Sequence, residues 1–261
     1  MRRPPECVSR LVLIIALVGG SVVSVPHAAQ QTRAELRCEL PPSTVLRTEG
    51  TARLEMWELP AADVWFSENL PQSLEYAGYR AAIRTAGADL VRPIADPPQP
   101  KDEAEREMWR REAFNEELMY SGGGHVRRIH CLEAALFARQ HARYSELAQP
   151  TEFVAQVLRR GDRLKVYMGA SDQEFPPKSV YGLNEVAVDV AAGWQYSVVL
   201  HNHTLRTLKG RPALGVTAPS TSDVELFSGL VPRFGLREVW VTNGIFTGVV
   251  SAESLVRFAA R

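Results

Sequence analysis

The sequence predicts an α/β protein, a mixed β-sheet flanked by helices, and three observations carry that prediction. Short runs rich in β-branched and aromatic residues recur at 153–158, 163–168, 185–190, 196–200, 239–242 and 245–250. Segments of helix-forming composition lie before, among and after them, so helix, strands, helix, hairpin and helix follow in order. Composition agrees: 45% hydrophobic and 23% charged residues over 261 positions describe an ordinary globular protein with chain enough for its own core. Thirty Lys and Arg balance thirty Asp and Glu, which excludes a basic, nucleic-acid-coating protein.

The first 29 residues stand apart from this body. Arg2, Arg3 and Arg10 precede an uncharged run, LVLIIALVGGSVVSV at 11–25, and small residues follow at Ala28 and Ala29. A basic start, a short apolar run and small residues at its end describe a secretory signal peptide, cleaved near Ala28 or Ala29. The run is short for the ~30 Å hydrocarbon core and is weakened by Gly19-Gly20, so no stable membrane span is expected after cleavage. The expected location is secreted or periplasmic; the alternative is a membrane anchor formed by an uncleaved signal. Cleavage removes three arginines and one glutamate, taking the charge balance from 30 against 30 to 27 against 29. It also removes Cys7 and leaves Cys38 and Cys131 in an oxidising compartment, as a candidate disulfide or as two separate buried thiols.

Residues 30–124 are expected to form an N-terminal extension of mixed α+β or irregular structure, with no chemical signature of its own. Residues 54–57 suit a strand and 74–86 a helix, before the breaker Asp96-Pro97-Pro98-Gln99-Pro100. A charged surface helix is expected at about 102–120, with Met108, Trp109, Phe114 and Leu118 as a loose apolar stripe, stopped by Gly122-Gly123-Gly124. From residue 125 onward the pattern is clearer. A helix at 129–146 has Leu132, Leu136 and small alanines for packing, and a second starts near Ser222. Asn243-Gly244 between two apolar runs signals a hairpin, and 251–261 reads as a terminal helix packing through Leu255, Val256 and Phe258.

Chemistry concentrates late in the chain. His201 and His203 close the strand-forming run 196–200, and residues i and i+2 of a strand point to one side. Two imidazoles so placed can reach one cation, and the spacing suits zinc. The other histidines flank or occupy predicted helices or the export segment and read as surface or core residues. Pro219-Ser220-Thr221-Ser222-Asp223 then leads into Val224, Leu226 and Phe227. Ser220 and Asp223 suit a helix cap, yet the same placement presents a carboxylate at the loop end. His201, His203 and Asp223 would together leave a fourth zinc position open, the form used for hydrolysis.

His201-Asn202-His203, then Pro219-Ser220-x-x-Asp223, then a hydrophobic hairpin resembles the JAMM (JAB/MPN-domain) zinc metallopeptidases, over about residues 125–261. The resemblance implies a JAB/MPN-like, cytidine-deaminase-like sandwich for that part of the chain. The family places a glutamate at the start of the strand after its first helix, and Glu152, ahead of Phe153-Val154-Ala155, matches it better than Glu174 or Glu185. Two departures bear on substrate access. The stretch Thr204–Pro219, with Arg206, Lys209 and Arg211, is longer than the family's connection, and Thr204 stands where a proline is common.

The resemblance further implies that Zn2+ is held by His201, His203 and Asp223, that Glu152 is the general base and that Ser220 steadies an oxyanion. The implied activity is a zinc metallopeptidase, hydrolysing an amide or isopeptide bond in a peptide or protein substrate, with no nucleic-acid partner. The alternatives are a zinc-bearing, non-catalytic binding or scaffold module, and a nuclease suggested only by the letters His-Asn-His.

Overall fold

The computed structural model describes residues 37–85, 99–145, 148–203, 206–208, 211–213 and 215–258. The expected export segment at 1–29, the breaker residues 96–98 and the end of the terminal helix at 259–261 lie outside the described residues. Among the described residues no helix is long and apolar enough to cross a membrane.

A hairpin begins the fold. β1 (Thr44–Glu49) and β2 (Ala52–Pro60) turn through Gly50, whose φ of 58° a glycine adopts without steric cost. α1 (Leu74–Thr85) and α2 (Glu103–Leu118) follow, and the Asp102 side chain caps α2 by accepting from the Glu105 N–H. β3 (His125–Arg128) leads into α3 (Cys131–Arg143), then the long hairpin of β4 (Phe153–Arg160) and β5 (Arg163–Ala170). α4 (Leu183–Ala191) and β6 (Gln195–Asn202) come next, then the small hairpin of β7 (Arg206–Leu208) and β8 (Arg211–Ala213). α5 (Thr221–Ser228) and α6 (Leu230–Phe234) precede β9 (Glu238–Thr242), β10 (Phe246–Ser251) and α7 (Ala252–Phe258).

Eight strands form one mixed sheet in the order β1-β2-β5-β4-β6-β9-β10-β3. Every neighbouring pair is antiparallel except β6 and β9, and a parallel pair requires a crossover, which α5 and α6 provide. β4 is buried on both faces and divides the core. Phe153, Ala155 and Val157 face a layer with Tyr76, Tyr79, Leu132 and Phe137 of α1 and α3, while Val154 and Leu158 face a layer with Val186, Phe227, Leu255 and Phe258. This is the expected α/β class, a mixed sheet flanked by helices.

The details differ from expectation in four places. Residues 185–190 are part of helix α4, not a strand. Val186, Val188 and Val190 alternate like a strand, but the chain buries Val186 and Asp189 at helical spacing and leaves Val188 69% exposed. Asp189 can face inward because Lys165 Nζ (2.7 Å) and the Tyr167 hydroxyl (2.5 Å) satisfy it. In α7, Leu255 and Phe258 are buried as expected, but Val256 points to solvent. The Asn243-Gly244 hairpin is real yet wider than two residues, because Asn243 Oδ1 accepts the N–H groups of both Ile245 and Phe246. Lastly, the boundary expected near residue 124 does not interrupt the sheet, since β2 pairs with β5 along its length and β3 closes the other edge on β10.

Cys38 and Cys131 approach to a Cα separation of 5.5 Å with their sulfurs at disulfide distance. On the chain-entropy model, a bridge across 93 residues stabilises the fold by about 4–5 kcal/mol. Intact protein is therefore expected to gain the mass of two hydrogens under reductant and to melt roughly 10 °C lower. Mass spectrometry with thiol labelling before and after reduction checks this, and two labelled thiols in unreduced, oxidatively produced protein would remove the bridge.

Candidate metal centre

The candidate ligands meet because β4 and β6 run antiparallel. Val154 lies opposite His201, so Glu152, just before β4, faces the end of β6. His201 and His203 project to the side of the sheet that carries α5, and the His201 ring stands edge-on to Phe227 of that helix. The His203 N–H donates to Thr242 O at the end of β9, so the site lies beyond the carboxyl ends of the parallel pair β6 and β9. Open α/β sheets bind ligands in that position.

His201 Nε2 lies 3.3 Å from Glu152 Oε2 and 3.6 Å from Asp223 Oδ1; His203 Nε2 lies 3.0 Å from Asp223 Oδ2. One donor atom from each of His201, His203 and Asp223 falls within 4.8 Å of the others, a group that could hold a metal ion. Tetrahedral ligands at 2.0–2.1 Å from zinc sit roughly 3.3 Å apart, so these spacings need little change to receive one. The outer sides of the imidazoles also fit. His201 Nδ1 meets Phe153 O at 3.0 Å and His203 Nδ1 meets Val216 O at 2.7 Å. A carbonyl only accepts, so each Nδ1 carries the proton and each Nε2 is directed at the shared space, the arrangement metal-binding histidines use.

Local structure orients the carboxylates. Asp223 Oδ2 accepts from the Ser220 N–H at 2.9 Å and the Ser220 hydroxyl at 2.8 Å, while Ser220 Oγ accepts from the Asp223 N–H at 3.1 Å. This capping box opens α5 and aims Asp223 at the histidines. The single Ser220 hydroxyl proton is thus directed to Asp223 or to Ser222 Oγ, 2.9 Å away, and must swing to reach an oxyanion. Gly215 passes so close to the His203 carbonyl that a Cβ would collide with it, which explains a glycine beside the carbonyl that receives His203 Nδ1.

Charge and burial pull in opposite directions here. Burial alone would lower the His201 pKa, but Asp223 and Glu152 outweigh it and hold the imidazole at about 9. His203 is likewise lowered by burial and raised more by its bond to Asp223. Burial raises Asp223, yet the two imidazoles and the Ser220 hydroxyl depress it far below the usual carboxylate range. On α2, burial raises Glu112, and burial together with the Glu112 charge pushes Glu116 up to about 7. Burial, with the charges of Asp223 and Glu152 behind it, also raises the Tyr181 hydroxyl, which stays protonated.

All five expected site residues therefore gather at one place: His201, His203 and Asp223 as donors, Glu152 beside His201, and Ser220 as the cap. Three contributors were not foreseen. Asn202 is fully buried and clamps the backbone on both sides of Glu152, accepting from Phe153 N at 2.6 Å and donating to Thr151 O at 3.1 Å. Its signal was available, because the residue between two same-side histidines must point into the opposite layer, where an amide needs partners. Glu112 and Asn115, from the expected surface helix, touch the loop that bears Asp223; nothing local in the sequence indicates it. Set against protein-family models, curated proteins and solved structures, the chain matches none of them.

The metal-free protein should show the charge balance as a pH dependence. The folded pKa of His201 exceeds its ordinary 6.5, so that stabilisation is fully present below about pH 6.5 and lost as pH rises through 9. The depressed Asp223 contributes above about pH 3.8 and loses its contribution on acidification. Melting in chelator should therefore fall between pH 6.5 and 9.5 by on the order of 2 kcal/mol. A divalent ion, which replaces those protons, should reverse the fall. A melting temperature unchanged over that range in chelator would contradict the assigned protonation.

Proposed function

We propose that this chain is an exported, zinc-dependent hydrolase of amide or isopeptide bonds, of the JAMM (JAB/MPN) type suggested by its motifs. One observation carries the reading: a buried carboxylate, Glu152, stands 3.3 Å from Nε2 of one of three clustered metal-donor side chains. A mixed sheet with its histidines at a strand end is compatible with the JAB/MPN sandwich. His201, His203 and Asp223 would hold the ion and leave one position open. When bound, zinc supplies Lewis acidity, polarising a carbonyl and lowering the pKa of water to about 7.

The residues of the chain then have separate tasks. Glu152 takes a proton from the attacking water as the C–O bond forms. It delivers that proton to the departing nitrogen as the C–N bond breaks, so the carboxylate is regenerated. Asn202 holds Thr151 and Phe153, and hence the Glu152 side chain, in place for both transfers. Ser220 orients Asp223 and serves as an oxyanion donor only if its hydroxyl turns away. That engagement of Ser220 favours a second reading, a zinc-bearing binding module without turnover.

Elemental analysis followed by metal-dependent cleavage of a library of peptides and isopeptides separates these readings. Zinc near one equivalent with cleavage abolished by chelator is expected; metal without cleavage across a broad library favours the binding module. Glu152→Gln should keep its metal and lose turnover by at least about 100-fold. His203→Ala should lose the metal. Undiminished hydrolysis in Glu152→Gln would falsify Glu152 as the base.

A further inference from the structure

α2 belongs to the part of the chain without a chemical signature, yet one flank of it grips the segment that presents Asp223. Asn115, 3% exposed, donates from Nδ2 to Pro219 O at 3.2 Å. One turn earlier, Glu112 Oε1 accepts the N–H of Thr221 at 2.9 Å. Arg111 pairs with Glu225 further along α5 at 3.1 Å, exposed to solvent. Positions 111, 112 and 115 share one side of a helix. The two inner bonds bracket Ser220, the residue whose N–H and hydroxyl hold the Asp223 carboxylate. A cleft of about 100 Å³ lined by Phe114, Val224 and Phe258 separates α2 from α5 and α7 nearby. Leu118 and Phe114 pack α2 against the layer that holds Ala218, Val224 and Phe258, and the two polar bonds fix where the segment before Asp223 meets the helix.

We propose that α2 is a positioning element for the metal centre. Glu112 and Asn115 hold Pro219–Thr221 so that Asp223 meets His201 and His203 at donor spacing. The inference rests on the metal-centre reading above, and neither residue touches the donor atoms themselves. Groups that orient ligands from outside contribute about 10–100-fold in metal affinity.

Cobalt(II) binding to the full chain tests this, read by chelator competition and by the visible absorption of the bound ion. Glu112→Ala and Asn115→Ala are expected to weaken binding about tenfold or more and to shift the cobalt band. Glu112→Gln retains an oxygen acceptor for the Thr221 N–H and should bind like the unaltered protein. Thr221→Pro removes the donor instead, at a first-turn helix position that accommodates proline, and should reproduce the Glu112→Ala loss without adding to it. Lys165→Met, at the far end of β5 across from Leu158, breaks the pair with Asp189 and supplies a destabilised control.

Cobalt affinity and band unchanged in the α2 variants, or lowered no more than in a Lys165→Met protein of equal melting loss, would overturn the proposal. Failure of the alanine variants to fold leaves the decision to Glu112→Gln against Thr221→Pro, where equal binding overturns it. Absence of cobalt uptake by the unaltered protein instead removes the metal reading, and the positioning role with it.

Discussion

The candidate centre depends on one register, Val154 opposite His201 in the antiparallel ladder of β4 and β6. Side chains alternate along a strand, so a slip of one residue would turn both histidines into the other core layer. Hydrophobic burial on both faces prevents that slip, with Phe153, Ala155 and Val157 committed to one layer and Val154 and Leu158 to the other. Asn202 adds a directional lock, because its amide reads the backbone of Thr151 and Phe153 at the same register. The ladder thus brings the imidazoles to Glu152, and the capping box of α5 brings Asp223 to the imidazoles.

Once assembled, the cluster requires positive charge. Asp223 and Glu152 are both nearly inaccessible, and a buried carboxylate without a cation is disfavoured by several kcal/mol. Protonated imidazoles meet the need in the metal-free protein, which is why the His201 pKa rises despite burial. A divalent cation held by the same three donors would meet it as well, with each Nδ1 keeping its carbonyl partner. The three donors could therefore hold an ion in the place that protons take in the metal-free protein. The same arrangement couples affinity to pH, because metal and protons compete for the same nitrogens.

How much of this was legible follows from the range of each interaction. His201 and His203 were readable because period two is local, and Ser220 and Asp223 because a helix cap is local. The strand after Glu152 was readable from its run of apolar residues. α4 reads as a strand in the sequence because three valines alternate there, and the partners of Asp189 lie on β5, 22 and 24 residues away in sequence. The membership of β1 and β2 in the same sheet was hidden for a similar reason: β2 pairs with a strand more than 100 residues later. Glu112 and Asn115 were hidden most completely, since a charged helix reads as solvated unless its contact is known.

Those long-range contacts change how the resemblance over residues 125–261 should be understood. The stretch carries every candidate donor, but it does not contain its own surroundings. Without β2, the whole length of β5 would present an unpaired edge, which folded proteins avoid. Without α1, the Tyr76 and Tyr79 hydroxyls would no longer hold the carbonyls of Gly244 and Asn243. The Asn243 side chain in turn donates to Gly215 O, next to the Val216 carbonyl that orients His203. Without α2, the loop before Asp223 would lose the bonds at Pro219 and Thr221. One helix therefore supports the histidine side of the centre and another its aspartate side, and both come from sequence that carries no chemistry of its own.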